Sequence, residues 1–200
     1  MTAYDRFDPT PDAAFYLVER KVVHIEAGAI AALRDVYDRE LPRGAPLLDL
    51  MSSWRSHLPD DPALGPVTGL GMNAAEMEDN PQLAGHLIHD LNADPRLPFA
   101  DGTFGACVCA VSVQYLTRPV EVFAEVARVL RPGGPAIVSF SNRCFPTKAV
   151  RPWVEGSDAE HVGLVRGYLQ AAGFADVRDE APPTPDDPLF VVTGRAPGPT

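Results

Sequence analysis

The chain has 200 residues, 46% of them apolar and 22% charged, a composition typical of one globular domain with a full core. Its net charge of −10 argues against nucleic-acid or anionic-membrane partners, which need clustered Lys and Arg. No segment reaches the roughly 18 apolar residues of a membrane span, and the first residues lack the pattern of a secretory leader, so we expect a cytoplasmic protein.

Periodicity and turn residues divide the chain into alternating helices and strands. Apolar residues at helical spacing predict a leading helix from about Glu26 to Leu41, before Pro42-Arg43-Gly44. Short apolar runs between turn residues predict seven strands, at 46–50, 67–72, 86–91, 106–111, 136–140, 174–179 and 189–194. Further helices are predicted at 74–80, 120–130 and 160–172, and the prolines between 59 and 66 leave room for about two helical turns after the first strand.

This order predicts an α/β fold. Five successive βα alternations require a largely parallel, doubly wound sheet with helices on both faces. Ligands of such sheets bind beyond the carboxyl ends of the strands, so the loops that follow strands hold the candidate site residues.

The three cysteines predict no disulfide and no metal site. Cys107 and Cys109 alternate along an apolar strand, and Cys144 stands apart from them. No further Cys or His lies nearby at the spacing of metal ligands, so we interpret all three as reduced thiols, the first two as core residues.

Two motifs carry a resemblance to a known family. Residues 97–108 read LPFADGTFGACV, and residues 125–134 read EVARVLRPGG. This wording is similar to LPFxDxxFDxV and ExxRVLxPGG of class I S-adenosylmethionine-dependent methyltransferases of the small-molecule "type 11" kind. The resemblance implies a seven-stranded Rossmann-like sheet with an antiparallel last strand over residues 46–194, an N-terminal lid and helical segment over 1–45, and a tail at 195–200.

The loop after the first strand departs from that family. Asp49 matches the family's acidic position, but Met51, Ser53 and Arg55 stand where its glycine-rich cofactor loop has glycines, which disfavours a turn with positive φ. One interpretation is a degenerate loop that binds nothing. The other is a rebuilt loop in which Ser52 and Ser53 supply N–H and hydroxyl groups to the amino-acid part of the cofactor.

The second strand end departs as well. The resemblance implies an acid at Gly71 that would accept bonds from the ribose hydroxyls, and that acid is absent. Asn73, after Met72, is the nearest polar replacement, although it is more readily explained as the N-cap of the next helix. Gly69-Leu70-Gly71 stands alone without a G-x-G-x-x-G motif, which argues against a dinucleotide oxidoreductase.

The third strand end matches the family better. The resemblance implies that Asp90 receives the adenine amino group and that the backbone of Leu91 reads the ring edge. Val111, at the end of the fourth predicted strand, completes the predicted cofactor set, and the resemblance implies that Tyr115 lies at the junction of cofactor and substrate.

Methyl transfer needs an aligned acceptor and, if that acceptor carries a proton, a base. His24 and His57 are the candidate bases, and we favour His24 because the resemblance implies that its segment covers the site. Tyr115 is the other predicted catalytic residue. The predicted substrate contacts are Trp54, Gln114, Asn142 and Arg143, and Lys148 is a further candidate for an acidic acceptor.

The sequence therefore predicts S-adenosylmethionine-dependent methyl transfer to a small molecule. The alternative is a non-enzymatic or regulatory protein that keeps the fold with a degenerate cofactor loop. A third interpretation is a pocket that takes an unrelated nucleotide.

Overall fold

The computed structural model describes residues 4–198, so residues 1–3 of the predicted lid segment and the last two residues of the predicted tail lie outside the described part. The helices are α1 (Asp12–Phe15), α2 (Ala27–Glu40), α3 (Ala74–Glu78), α4 (Pro119–Val129), α5 (Arg151–Glu155) and α6 (Asp158–Ala171). The strands are β1 (Leu47–Ser52), β2 (Val67–Gly71), β3 (Gly85–Ile88), β4 (Ala106–Ala110), β5 (Pro135–Phe140), β6 (Ala175–Glu180) and β7 (Phe190–Arg195).

All seven strands form one sheet in the order β3-β2-β1-β4-β5-β7-β6. The strands from β3 to β5 pair in parallel, and β7 pairs antiparallel with both β5 and β6. This arrangement confirms the predicted doubly wound, Rossmann-like sheet with an antiparallel last strand. Because β1 and β4 are central and parallel, their carboxyl ends open on the same edge of the sheet.

Helices cover the two faces of the sheet with separate apolar cores. On one face Leu33, Val36 and Tyr37 of α2 are fully buried against strand residues such as Val108 and Ile137. On the other face α4 and α6 bury residues such as Phe123 and Leu169. The leading helix α2 thus packs on the sheet, and the segment that lies over the strand ends is the part of the chain before it.

Two predicted elements differ from the structure. The sequence left room for about two helical turns after β1. Residues 53–66, all within the described chain, contain no helix, because Pro59, Pro62 and Pro66 interrupt this segment. The tail predicted from 195 begins later, since Arg195 is the last residue of β7 and the buried Ala196 bonds to Gly134. In the described part, no helix has both the length and the apolar character needed to cross a bilayer.

Candidate functional site

An open cavity lies at the carboxyl ends of β1, β2, β3 and β4. Every residue predicted to hold the cofactor lines it: Asp49, Met51, Ser52, Ser53, Gly71, Met72, Asn73, Asp90, Leu91 and Val111. His24, Tyr115 and Trp54 line the same space. The sequence-based choice of loops after strands therefore converges on one cavity.

The loop after β1 keeps a glycine-like backbone without glycine. Met51 has φ 57°, in the left-handed region, and it interrupts the pairing of β1 with β2, so that Leu50 pairs with Leu70 and Ser52 pairs with Gly71. A left-handed conformation costs a residue with a side chain roughly 1–2 kcal/mol. Of the three positions where the sequence disfavours a positive φ, the structure adopts one at Met51 and not at Ser53 or Arg55.

Asp49 stabilises this loop through its buried side chain. Its buried carboxylate accepts hydrogen bonds from the hydroxyls of Ser52 and Ser56, each at 2.6 Å. Burial raises the pKa of Asp49 to about 6, and the two hydroxyl bonds oppose that rise. The hydroxyl of Ser52, predicted to face a ligand, is therefore occupied by the protein, which leaves its backbone groups for that task.

Ser53 binds the carboxylate of Glu76, a residue that the sequence analysis did not assign to the site. Its hydroxyl donates to Oε2 of Glu76 at 2.6 Å, and the backbone N–H of Arg20 donates to Oε1 of Glu76 at 2.5 Å. Glu76 belongs to the first turn of α3, is only 7% exposed and lines the cavity. A glutamate in the first turn of a short helix is a common capping residue, so its sequence position gave no signal of a place in the site.

Gly71 cannot carry the acid that the family resemblance implies at this strand end. A Cβ atom built on Gly71 would lie 2.2 Å from the carbonyl oxygen of Ser52 and 3.0 Å from the sulfur of Met77. The φ of Gly71 is not positive, so the obstacle is this contact and not the backbone conformation. Because the neighbour at 2.2 Å is backbone, only a shift of the strand itself would make room.

Asn73 is the helix cap that its position predicts. Its Oδ1 accepts from the backbone N–H of Glu76 at 3.1 Å, and its Nδ2 donates to the carbonyl of Tyr16 at 2.9 Å. Both ends of the amide are thus bound to the protein, so Asn73 is poorly placed to replace the missing carboxylate at Gly71.

Asp90 sits at the end of β3 in the manner predicted. Its Oδ1 accepts from the backbone N–H groups of Asn92 and Ala93, at 3.0 and 3.2 Å, and the residue lines the cavity. Asp90 therefore shapes the turn with one oxygen while bordering the site. Beside it, Leu91 and Leu70 are buried and provide an apolar wall suited to a flat ring.

The segment after β4 is strained. Val111 has φ 46°, an unusual conformation for a β-branched residue and one that concentrates at functional sites. Tyr115 follows in a short 3₁₀ turn, where its hydroxyl oxygen accepts from the backbone N–H of Phe145 at 2.9 Å. Burial raises the pKa of Tyr115 to about 12, so its hydroxyl keeps its proton at neutral pH.

Both candidate bases line the cavity in a neutral state. Burial lowers the pKa of His24, whose ring lies edge-on to Phe145 at 5.3 Å. Burial, with a smaller contribution from Arg34, lowers the pKa of His57 to about 4. His57 also has φ 58°, so it is held in a left-handed turn. A neutral imidazole can accept a proton, which keeps both histidines available as bases.

The roof of the cavity is residues 4–24, which we call the strap. The buried Lys148 fixes it from the far side of the site by donating to the carbonyl of Thr10 at 2.7 Å and pairing with Asp8 at 3.1 Å. Asp12 is likewise buried, and it accepts from Arg6 and from Asn92, each at 2.8 Å. Lys148 therefore holds the strap, and its predicted contact with an acidic substrate is wrong.

Three predicted substrate contacts lie outside the cavity. Gln114 is buried, and its Nε2 donates to the carbonyl of Val111 at 2.9 Å, so it supports the strained turn. Asn142 is exposed on the surface. Arg143 is also exposed and pairs with Glu26 at 3.1 Å and with Asp187 at 2.8 Å. Their loops do border the cavity, through Tyr115 and Phe145, but these three side chains are not among the residues that line it.

The sequence matches the family model described as "Methyltransferase domain" over residues 62–138. Over that stretch, which is less than half of the chain, the sequence is similar to methyltransferase domains, and the chain spans only a small part of the curated relatives that it matches. It is 48% identical over 42 residues to the ubiquinone/menaquinone biosynthesis C-methyltransferase UbiE of Roseobacter denitrificans, covering 21% of this chain and 17% of that protein. It is 32% identical over 72 residues to the biotin biosynthesis bifunctional protein BioHC of Teredinibacter turnerae, covering 36% of this chain and 13% of that protein.

Solved structures share the fold. An S-adenosylmethionine-dependent methyltransferase from Mesorhizobium loti aligns with a TM-score of 0.59 at 16% identity, covering 82% of this chain and 97% of its own. The [4+2]-cyclase SpnF aligns with a TM-score of 0.64 at 17% identity, covering 92% and 87%. At these identities the likeness establishes the fold alone, and a cyclase among the neighbours shows that the fold serves more than one reaction.

The charges of the cavity suit the cofactor that this family implies. Four carboxylate side chains line it, from Asp12, Asp49, Glu76 and Asp90. The guanidinium groups of Arg20 and Arg55 also line it, but they donate to backbone carbonyls and stack on the rings of Phe15 and Trp54. Asp12 is paired with Arg6, so three carboxylates face two guanidinium groups, and this small excess of negative charge suits a ligand that carries a sulfonium and an ammonium group, as S-adenosylmethionine does.

Proposed function

We propose that this chain transfers a methyl group from S-adenosylmethionine to a small-molecule acceptor. The observation that carries the proposal is the single cavity at the carboxyl edge of the sheet, where the acid after β3, the hydroxyl-rich loop after β1 and two neutral histidines meet. In this assignment Asp90 and Leu91 receive the adenine, and backbone groups of the loop at Met51–Ser53 receive the amino-acid part. A cytoplasmic location belongs to the same proposal.

The bound cofactor would supply an electrophilic methyl group, and the protein's task is to align an acceptor with it. A proton on the attacking atom would go to His24, whose lowered pKa keeps it neutral beforehand. Tyr115, which remains protonated, would donate a hydrogen bond that orients the acceptor.

The strap side of the cavity indicates the kind of acceptor. Tyr16, Tyr115, Phe145 and His24 line it, and the Tyr115 and Phe145 rings stack with their centroids 6.1 Å apart. Aromatic walls of this kind favour a planar, largely apolar molecule.

Titration of S-adenosylhomocysteine by isothermal calorimetry tests the proposal. We expect binding, and we expect Asp90→Asn to weaken it by roughly 1.5–3 kcal/mol, because the amide keeps the turn but presents a donor to the adenine amino group. Asp94→Asn, on the exposed side of the same turn, is the matched control and should bind as the wild type does.

Two outcomes would contradict the proposal. A wild-type protein that neither binds nor is stabilised by millimolar S-adenosylhomocysteine would favour the non-enzymatic alternative. Stabilisation by an unrelated nucleotide alone, with ATP as the probe, would favour a different nucleotide site.

A further inference from the structure

The end of β2 lacks a side chain that could accept hydrogen bonds from the ribose of the proposed cofactor. If S-adenosylmethionine binds as proposed, its two ribose hydroxyls need an acceptor near this strand end, and a hydroxyl pair is best received by a carboxylate. Gly71 offers no side chain, and the carbonyl oxygen of Ser52 occupies the place where its Cβ would stand. Asn73 is neutral and has a single acceptor oxygen, which already accepts from the backbone N–H of Glu76 and so can receive one further hydroxyl but not a pair.

The carboxylate of Glu76 borders the same part of the cavity, although Glu76 belongs to α3 and not to the end of β2. It comes from α3, five positions after Gly71, and its side chain extends to the loop after β1, where Ser53 binds it. That direction brings the carboxylate between the ends of β1 and β2, where it borders the cavity. Its oxygens therefore lie on the side of the site that Gly71 leaves without an acceptor.

The environment of Glu76 suggests a ligand. The side chain is only 7% exposed, and among residues 4–198 its hydrogen-bond donors are the hydroxyl of Ser53 and the backbone N–H of Arg20, both neutral. A buried carboxylate is costly unless a cation or several donors satisfy it. Each oxygen has one protein donor and keeps acceptor capacity for one more hydroxyl.

We propose that the carboxylate of Glu76 receives the ribose hydroxyls of the cofactor, in place of the side chain that Gly71 lacks. The inference rests on the proposed function, because it requires that S-adenosylmethionine occupies the cavity. It assigns a cofactor-binding role to a residue outside the strand end where the family resemblance implies one.

The test compares two ligands on matched variants by calorimetry. S-adenosylhomocysteine contains adenine, ribose and the amino acid, whereas 5′-deoxy-5′-methylthioadenosine contains adenine and ribose alone. We expect Glu76→Gln to weaken both ligands by the same factor, about 10- to 100-fold, because a neutral amide cannot accept from both hydroxyls. Glu78→Gln changes an exposed glutamate of the same helix and should change neither affinity.

A second variant separates direct contact from support of the loop. Ser53→Ala removes the hydroxyl bond to Glu76 and leaves the carboxylate, so we expect both ligands to lose less affinity than they lose in Glu76→Gln. Melting curves and circular dichroism establish that each variant is folded before it is titrated.

Four results would overturn the inference. If Glu76→Gln weakens S-adenosylhomocysteine but not the methylthio ligand, the carboxylate faces the amino acid and not the ribose. If Ser53→Ala reproduces the loss, Glu76 acts only by holding the loop. If Glu76→Gln binds both ligands normally, the inference fails while the proposed function stands, and a wild type that binds neither ligand overturns both.

Discussion

Gly71→Ala is the substitution whose cost follows most directly from the structure. The new methyl group would lie 2.2 Å from the carbonyl oxygen of Ser52, whereas ordinary van der Waals contact begins at 3.4 Å. Relief requires β1 and β2 to separate locally by about 1 Å, and such overpacking typically costs 1–3 kcal/mol. We expect the upper half of that range, because the obstructing atom is backbone held in a parallel pair and cannot rotate away.

Urea unfolding followed by circular dichroism measures this loss. Gly85→Ala is the matched control, since it lies on the adjacent strand β3 and a Cβ there meets no atom within 4 Å. Gly71→Asp should be at least as unstable as Gly71→Ala and should gain no affinity for S-adenosylhomocysteine, although it restores the acid of the family pattern. The reasoning fails if the free energies of unfolding of Gly71→Ala and Gly85→Ala differ by less than ~0.5 kcal/mol, the usual spread of neutral substitutions.

Two further predictions concern the histidines and Asp49. His24→Gln should lower turnover far more than it weakens the binding of S-adenosylhomocysteine, because a base acts in the transition state. If turnover stays within about threefold of the wild type, a difference of ~0.7 kcal/mol in the activation barrier, His24 has only a structural role. The lowered pKa of His57, about 4 against 6.5, means that the unfolded chain binds more protons between those values, so stability falls as the pH drops through that window. The raised pKa of Asp49, about 6 against 3.8, has the opposite effect, so stability falls as the pH rises from about 4 to 6. The two contributions oppose each other in the wild type. His57→Asn and Asp49→Asn should therefore change the pH dependence of the free energy of unfolding, measured in urea, in opposite directions and each by on the order of 3 kcal/mol. If the free energies of unfolding of the two variants change with pH in parallel, both assignments are wrong.

The sequence predicted the sheet well because most strands are short, apolar and bounded by turn residues, although the edge strand β6 is largely polar. Val67 to Gly71 and Ala106 to Ala110 are examples, and their burial on both faces explains their nearly uninterrupted apolar content. The convergence of the predicted cofactor residues on one cavity follows from the same logic, since parallel strands bring their following loops to one edge.

The rest of the site depends on contacts between distant parts of the chain. Glu76 enters the cavity because Ser53 and Arg20 bind it, 23 and 56 positions away. Lys148 is a structural residue because it meets Thr10 across 138 positions. Neither pairing has a periodicity or a spacing that a single sequence displays. The left-handed backbone at Met51 was missed for a different reason, since tertiary pairing overrides the local preference of that residue.

The anchoring of the strap has a consequence for the order in which the molecule assembles. Residues 5–8, near the start of the chain, bind the backbone of residues 147–151, which follow β5, through pairs such as Asp8 with Thr147 and Arg151 with Asp5. Such a contact closes a loop of most of the polypeptide, so it cannot form until the central strands are paired. During synthesis residues 5–8 must therefore wait until residues 147–151 have been made before they can dock. The cavity therefore acquires its roof late in folding.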